Sequence, residues 1–336
     1  MPKFEFPPPK VGFSQQQQKV RKLAAVLVLG QALLLGACAS GPPLHDYTLP
    51  AASVELSATP FHAQADYQCG PAALATVLGA SGATVTPEEL TTQVYLPGRR
   101  GSIQAEMVAA TRRHHRVPYV LQPKMQSLLD EIAAGTPVLV LQNLGLKAVP
   151  QWHYAVVIGY DTAADSLLLR SGTHKRLRMT RHRFESSWAR AQRWALVAAM
   201  PEQPPVTANS SDWLQAASAF EELGQPVQAA AAYAAATRRW PEQPLAWQAL
   251  ANAYYALHDL PAAEAALRSA LQHSASAAAH NNLAQVLLER GCPAAAATAI
   301  GNAETAADAA AFAGVLARTR AAIESFAGHA ATDCPL

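Results

Sequence analysis

Residues 60–78 read PFHAQADYQCGPAALATVL, and the change of character at Cys69 decides how the first half of the chain is read. Polar residues give way there to a run of strong helix formers, Ala72 to Leu78, so a helix is expected to begin at Cys69. Pro71 suits the first turn, where its missing amide costs no intrahelical bond. A thiol at a helix start faces the positive end of the macrodipole, which favours thiolate, the form that attacks. Gly70 would let a substrate approach the backbone. Gln64, with Gln68 as a second candidate, can offer an amide beside the Cys69 N–H to a developing oxyanion.

A thiol needs a base. Residues 136–141 (TPVLVL) and 152–160 (WHYAVVIGY) are expected strands by their β-branched content, and His153 stands at the start of the second. A neutral imidazole there can take the thiol proton and later protonate a leaving amine. The fold must bring Cys69 and His153 together.

Gln64, the run Gln68-Cys69-Gly70-Pro71-Ala72-Ala73-Leu74 and the run His153 to Tyr160 together resemble the C39-like, bacteriocin-processing peptidase family of papain fold. The resemblance covers residues 61–199. It implies an α+β domain that cleaves a peptide bond through an acyl-enzyme, with Cys69 as nucleophile, His153 as base and Gln64 as oxyanion donor. The family orients its histidine with an Asp-Pro on the following strand, where this chain reads Leu169-Arg170-Ser171-Gly172. Asp161, Asp165 and Ser171 remain the candidates for that role.

Upstream, Lys19, Arg21 and Lys22 precede an uncharged stretch from Leu23 to Leu35, too short for a permanent span and ordered like a secretory signal. It ends in Leu35-Gly36-Ala37-Cys38, which resembles the lipobox of bacterial lipoproteins and implies lipidation of Cys38. With Ala39 following, the resemblance implies the periplasmic face of the outer membrane. Residues 1–37 are thus read as leader and signal. Residues 38–60, rich in Pro, Ser and Ala, are read as an extended tether, with folded structure starting near Phe61.

Downstream, residues 61–200 form the first domain and prolines at 201, 204 and 205 mark a linker over 201–211, after which Asp212 is expected to cap a helix. Residues 212–327 are Ala-rich with helical periodicity. Trp213, Trp247 and His280 stand 34 and then 33 residues apart. The same interval relates Ala217, Ala251 and Ala284, then Phe220, Tyr254 and Leu287, then Ala229, Ala263 and Ala296. The pattern resembles about three tetratricopeptide repeats, which implies an all-α solenoid that binds a protein partner.

The 336 residues carry a net charge of +2 without a basic stripe, so no nucleic-acid partner is expected. The four cysteines, 38, 69, 292 and 334, match no zinc spacing, the histidines form no HExxH, and 98–101 (GRRG) is a turn rather than a phosphate loop. No cofactor or metal is expected, and the pairing of Cys292 with Cys334 stays open. The expected function is a membrane-anchored periplasmic cysteine peptidase acting on a peptide or protein, its repeats recruiting substrate or partner. The rivals are an inactive peptide-binding adaptor and an acyltransferase that passes the acyl group to an amine.

Overall fold

The computed structural model describes residues 42–64 and 68–326. The leader, the signal, Cys38 and Cys334 lie outside the described residues. Among the described residues no helix is long and apolar enough to cross a membrane.

The first domain is one antiparallel sheet with helices on both faces. In chain order its elements are β1 (Ser53–Glu55), α1 (Cys69–Ala80), α2 (Pro87–Val94), α3 (Gln104–Arg113), β2 (Val117–Val120), α4 (Met125–Ala133), β3 (Val138–Asn143), β4 (Trp152–Asp161), β5 (Ser166–Ser171), β6 (His174–Thr180), α5 (Arg181–Ala189) and β7 (Ala195–Ala199). The strands run β2-β7-β3-β4-β5-β6 across the sheet, and β1 pairs with the far half of β4. Side chains alternate between faces along a strand. On β4, Tyr154, Val156 and Ile158 pack against Leu74, Val77 and Leu78 of α1. Ala155 and Val157 turn to the other face, with Leu128, Leu129 and Ile132 of α4 and Phe184 and Trp188 of α5. With both faces covered, β3 is buried at every position, which is why its sequence shows an apolar run rather than alternation.

Folded structure begins well before Phe61, against the reading of 38–60 as a free tether. Leu44 is fully buried and its N–H donates to Asp165 Oδ1 at 2.9 Å. Val54 pairs with Tyr160, and Val54 O comes so close to Gly159 that a Cβ there would lie 2.3 Å away. The buried Arg170 donates through Nη2 to the carbonyls of Ser57 and Thr59, at 3.0 Å each. Tyr47, Leu49, Val54 and Leu56 also pack on the core, and these few apolar anchors outweigh the Pro, Ser and Ala around them.

The C-terminal half is a run of helices: α6 (Ser210–Glu222), α7 (Pro226–Arg239), α8 (Pro244–Ala256), α9 (Leu260–His273), α10 (Ala277–Glu289), α11 (Pro293–Thr305) and α12 (Ala309–Phe326). Positions related by the 34-residue interval are buried together: Ala217, Ala251 and Ala284, and likewise Ala229, Ala263 and Ala296. Small residues at these places let consecutive helices approach closely. Helix α12, beyond the three repeat units, closes the third by placing Leu316 and Ile323 in the core and donating from Thr319 Oγ1 to Asn281 Oδ1 at 2.8 Å. The cap of α6 is Asn209 rather than Asp212: its side chain accepts from Asp212 N at 2.9 Å. Cys292 is buried and is not a free thiol, and its possible pairing with Cys334 falls partly outside the described residues.

The linker over 201–211 is clamped. Arg239 donates to the carbonyls of Pro204, Pro205 and Val206, and Thr207 donates through N and Oγ1 to Glu131 Oε1 at 2.8 and 2.7 Å. Trp213 stacks its ring 6.4 Å from that of Tyr119, so one apolar core runs from the sheet into the helices. Glu131 is fully buried, its Oε2 has no partner, and burial raises its carboxyl pKa above the ordinary value of 4.5. A carboxyl whose folded pKa is raised loses its stabilising contribution as pH rises from the unfolded value through the folded one. Glu131→Gln keeps an acceptor for Thr207 and removes that titration. Its thermal stability is expected to exceed the wild type by about 1 kcal/mol at pH 8 and to converge on it near pH 4.5. Parallel melting curves across that range would refute the assignment.

Candidate active site

Helix α1 is buried along Gly70 to Leu78, so Cys69, its first residue, is the point where it surfaces. It opens into a cleft of about 1060 Å³ whose lining includes Gln64, Cys69, Ser102, Trp152, His153 and Arg190. Cys69 is the free thiol among the described residues. The backbone N–H of Tyr154, the residue immediately after His153, favours the charged form of the thiol. Helix α1 packs on β4, and the starts of the two elements set thiol and imidazole in the same cleft. No hydrogen bond joins the thiol directly to the imidazole.

His153 instead shares a 2.8 Å hydrogen bond between Nε2 and Ser171 Oγ. Ser171, at the end of β5, is thus the one of the three candidates that touches the imidazole, and Nδ1 is the nitrogen this bond leaves free. Asp161 does not take that role. It ends β4, eight residues from His153, roughly 26 Å along an extended strand. There it pairs with Arg178 at 3.0 Å and accepts from Ala164 N. Asp165 is likewise structural, holding Leu44 N and Arg181.

A serine orients differently from a carboxylate. Its hydroxyl can donate or accept, so it does not enforce one imidazole tautomer, and it adds no charge to stabilise an imidazolium. Consistent with that, burial alone pushes His153 below the ordinary 6.5. Burial also pushes the Cys69 thiol above its ordinary 9.0, and the Tyr154 N–H only partly offsets it. The resting pair is therefore a neutral thiol and a neutral imidazole, where the helix position had suggested a standing thiolate. Desolvation is the largest influence on the thiol, ahead of the backbone N–H groups that favour thiolate.

Ser171→Ala is expected to slow acylation of Cys69 about tenfold, the loss of one hydrogen bond to the base. Ser171→Asp should instead move the acid limb of the pH–rate profile upward, because a carboxylate favours the charged imidazole. Unchanged profiles in both variants would remove Ser171 from the site.

Gln64 lines the cleft and its N–H donates to Gly172 O at 3.3 Å, tying its segment to the β5–β6 turn, whereas Gln68 is not part of the lining. Gly70 is buried and serves packing rather than substrate approach: a Cβ there would stand 2.3 Å from Ser102 Oγ. The GRRG turn, read from sequence only as a turn, forms one wall of the cleft with Arg99 and Arg100, and Arg190 and Gln192 stand on another. Those residues come from separate segments, and no local pattern marks them as neighbours.

With this geometry in hand, the comparisons with known proteins agree on both halves. Residues 56–196 match the model of the Peptidase C39 like family, and residues 211–252 match that of the tetratricopeptide repeat. No curated protein matches the chain. Among solved structures, a putative C39-like peptidase from Bacillus anthracis is 22% identical, with 44% of this chain and 96% of that one covered at a TM-score of 0.37. The peptidase domain of Streptococcus ComA, a bi-functional ABC transporter of a quorum-sensing pathway, is 23% identical, with 42% and 98% covered at a TM-score of 0.35. An antiparallel sheet with helices, matching a C39-like peptidase domain, is followed by helices consistent with tetratricopeptide repeats.

Proposed function

We infer that this C39-like peptidase domain cleaves a peptide bond with Cys69 as nucleophile and His153 as base. The carrying observation is that Cys69, the free thiol at the start of α1, and His153, held by Ser171 at 2.8 Å, line one cleft. As Sγ attacks the carbonyl carbon, His153 Nδ1 takes its proton, and the oxyanion draws on the Cys69 N–H and the Gln64 amide. The imidazolium then protonates the departing amine as the C–N bond breaks. Water, deprotonated by the same nitrogen, hydrolyses the thioester to a carboxylic acid and restores the thiol.

The reading extends to place. The order of basic residues, apolar stretch and Leu35-Gly36-Ala37-Cys38 supports export and lipidation at Cys38, with the enzyme held at the outer membrane facing the periplasm. The repeats would recruit the peptide or protein substrate, or a partner, and their shared core with the sheet supports presentation at a fixed position. Incubating the chain with a proteome-derived peptide mixture and mapping new termini tests the activity. Cuts absent from Cys69→Ala are expected; cuts that persist in that variant would overturn it. Metabolic labelling with a radioactive fatty acid should mark the wild type and not Cys38→Ser.

A further inference from the structure

The charged side chains lining the cleft, apart from His153, are all arginines: Arg99, Arg100 and Arg190. No carboxylate belongs to the described lining, and among the described residues none of the three has an ion-pair partner. Four other arginines of the same domain are ion-paired: Arg176 with Glu55, Arg178 with Asp161, Arg181 with Asp165 and Arg193 with Glu185. Asp66, the acidic residue between Gln64 and Cys69 in the sequence, lies outside the described residues.

The Arg190 side chain and the backbone that carries Arg99 and Arg100 are also held in place. Arg190 donates through Nε and Nη2 to Asn143 O at 3.1 and 2.8 Å, which fixes its guanidinium and leaves Nη1 without a partner among the described residues. Arg99 and Arg100 sit on a turn closed by Leu96 N to Gly101 O at 2.9 Å and by Arg100 N to Pro97 O at 3.1 Å. Arg100 has a φ of 47°, a left-handed backbone that glycine would adopt more easily although Gly98 and Gly101 stand on either side. A strained non-glycine residue at the rim of a cleft points to use of its side chain. Guanidinium groups present paired N–H donors that match a carboxylate, and a concave wall of one sign concentrates ligands of the other.

We propose that the cleft selects peptides carrying an acidic side chain close to the bond held at Cys69, with Arg99, Arg100 and Arg190 as the specificity-determining residues. The proposal rests on the peptidase reading of the same site, since it names the substrate class for that reaction. An aspartate or glutamate side chain would exchange water for guanidinium donors at the turn or at Arg190, while the uncharged glutamines along the cleft contact the peptide backbone.

The test uses binding, so that it does not depend on turnover. The full chain carrying Cys69→Ala is immobilised and challenged with two capped peptide pools that have uncharged residues at all positions except the centre, Glu in one and Gln in the other. The Glu pool should be retained about threefold more strongly at 50 mM salt, the scale of a few exposed ion pairs. That advantage should shrink at 500 mM. It should fall when Arg99→Gln and Arg100→Gln are added, both side chains being exposed so that the fold is not at stake, and vanish when Arg190→Gln joins them. Equal retention of the two pools, retention of neither, or a Glu advantage that survives the arginine replacements would overturn the proposal. The two readings fail separately: loss of thiol acylation with the Glu advantage intact removes hydrolysis alone, and acylation without that advantage removes the charge selection alone.

Discussion

Turnover falls by about 10³- to 10⁴-fold in His153→Ala and to background in Cys69→Ala. Two losses combine in the histidine variant. With the thiol pushed above its ordinary 9.0 by burial, fewer than about one sulfur in a hundred is ionised at pH 7 once no base takes the proton. The leaving amine also loses its proton donor, which contributes the remainder. The wild-type pH profile should carry the same signature. Activity needs neutral imidazole and is lost as pH falls through the His153 pKa, which lies below 6.5; the alkaline limb lies above 9.0. A broad plateau between those limbs is expected in kcat/KM. An alkaline limb at pH 7 would show a thiolate standing at rest and contradict the neutral pair.

Trp213→Ala lowers stability by about 3–5 kcal/mol, a large share of the 5–15 kcal/mol that a folded domain has. Its indole is fully buried, donates from Nε1 to Ala232 O at 2.9 Å, and packs against Tyr119 of the sheet domain. The substitution opens a cavity at the junction and removes both the Nε1 hydrogen bond and the aromatic contact. Because the sheet and the helices share a core there, both are expected to melt in one transition, with thiol reactivity lost at the temperature where helicity is lost. Scanning calorimetry beside a thiol assay checks this; two separate transitions, with only the helical one moved, would show that the halves are independent.

The chemistry was legible where it is local. A polar-to-helical switch with Gly-Pro behind it marks Cys69 as a helix start, and β-branched runs mark β3 and β4. The 34-residue interval marks positions that prove to be buried together. What escaped depends on pairing across long stretches of chain. Nothing near Val54 announces Tyr160 as its strand partner, so a segment rich in Pro, Ser and Ala reads as a tether until Leu44, Val54 and Leu56 are seen in place. The choice between Asp161 and Ser171 turns on the antiparallel register of β4 and β5, which sets Asp161 against Ser166 and brings Ser171 back toward His153. Charge chemistry at Cys69 escaped for a related reason: the helix start is visible in sequence, while the burial that overrides it is a property of the assembled cleft.

The measurement that bears most directly on the central claim is the pre-steady-state reaction of the chain with p-nitrophenyl acetate, which needs no knowledge of the natural substrate. Attack by Cys69 Sγ breaks the ester bond, leaves an acetyl group on sulfur and releases p-nitrophenol. One equivalent per chain is predicted in a burst ahead of slower steady-state release, absent from Cys69→Ala and slowed about 100-fold or more in His153→Ala. A wild-type chain that acylates no faster than His153→Ala would contradict the account and leave a peptide-binding domain that grips without cutting.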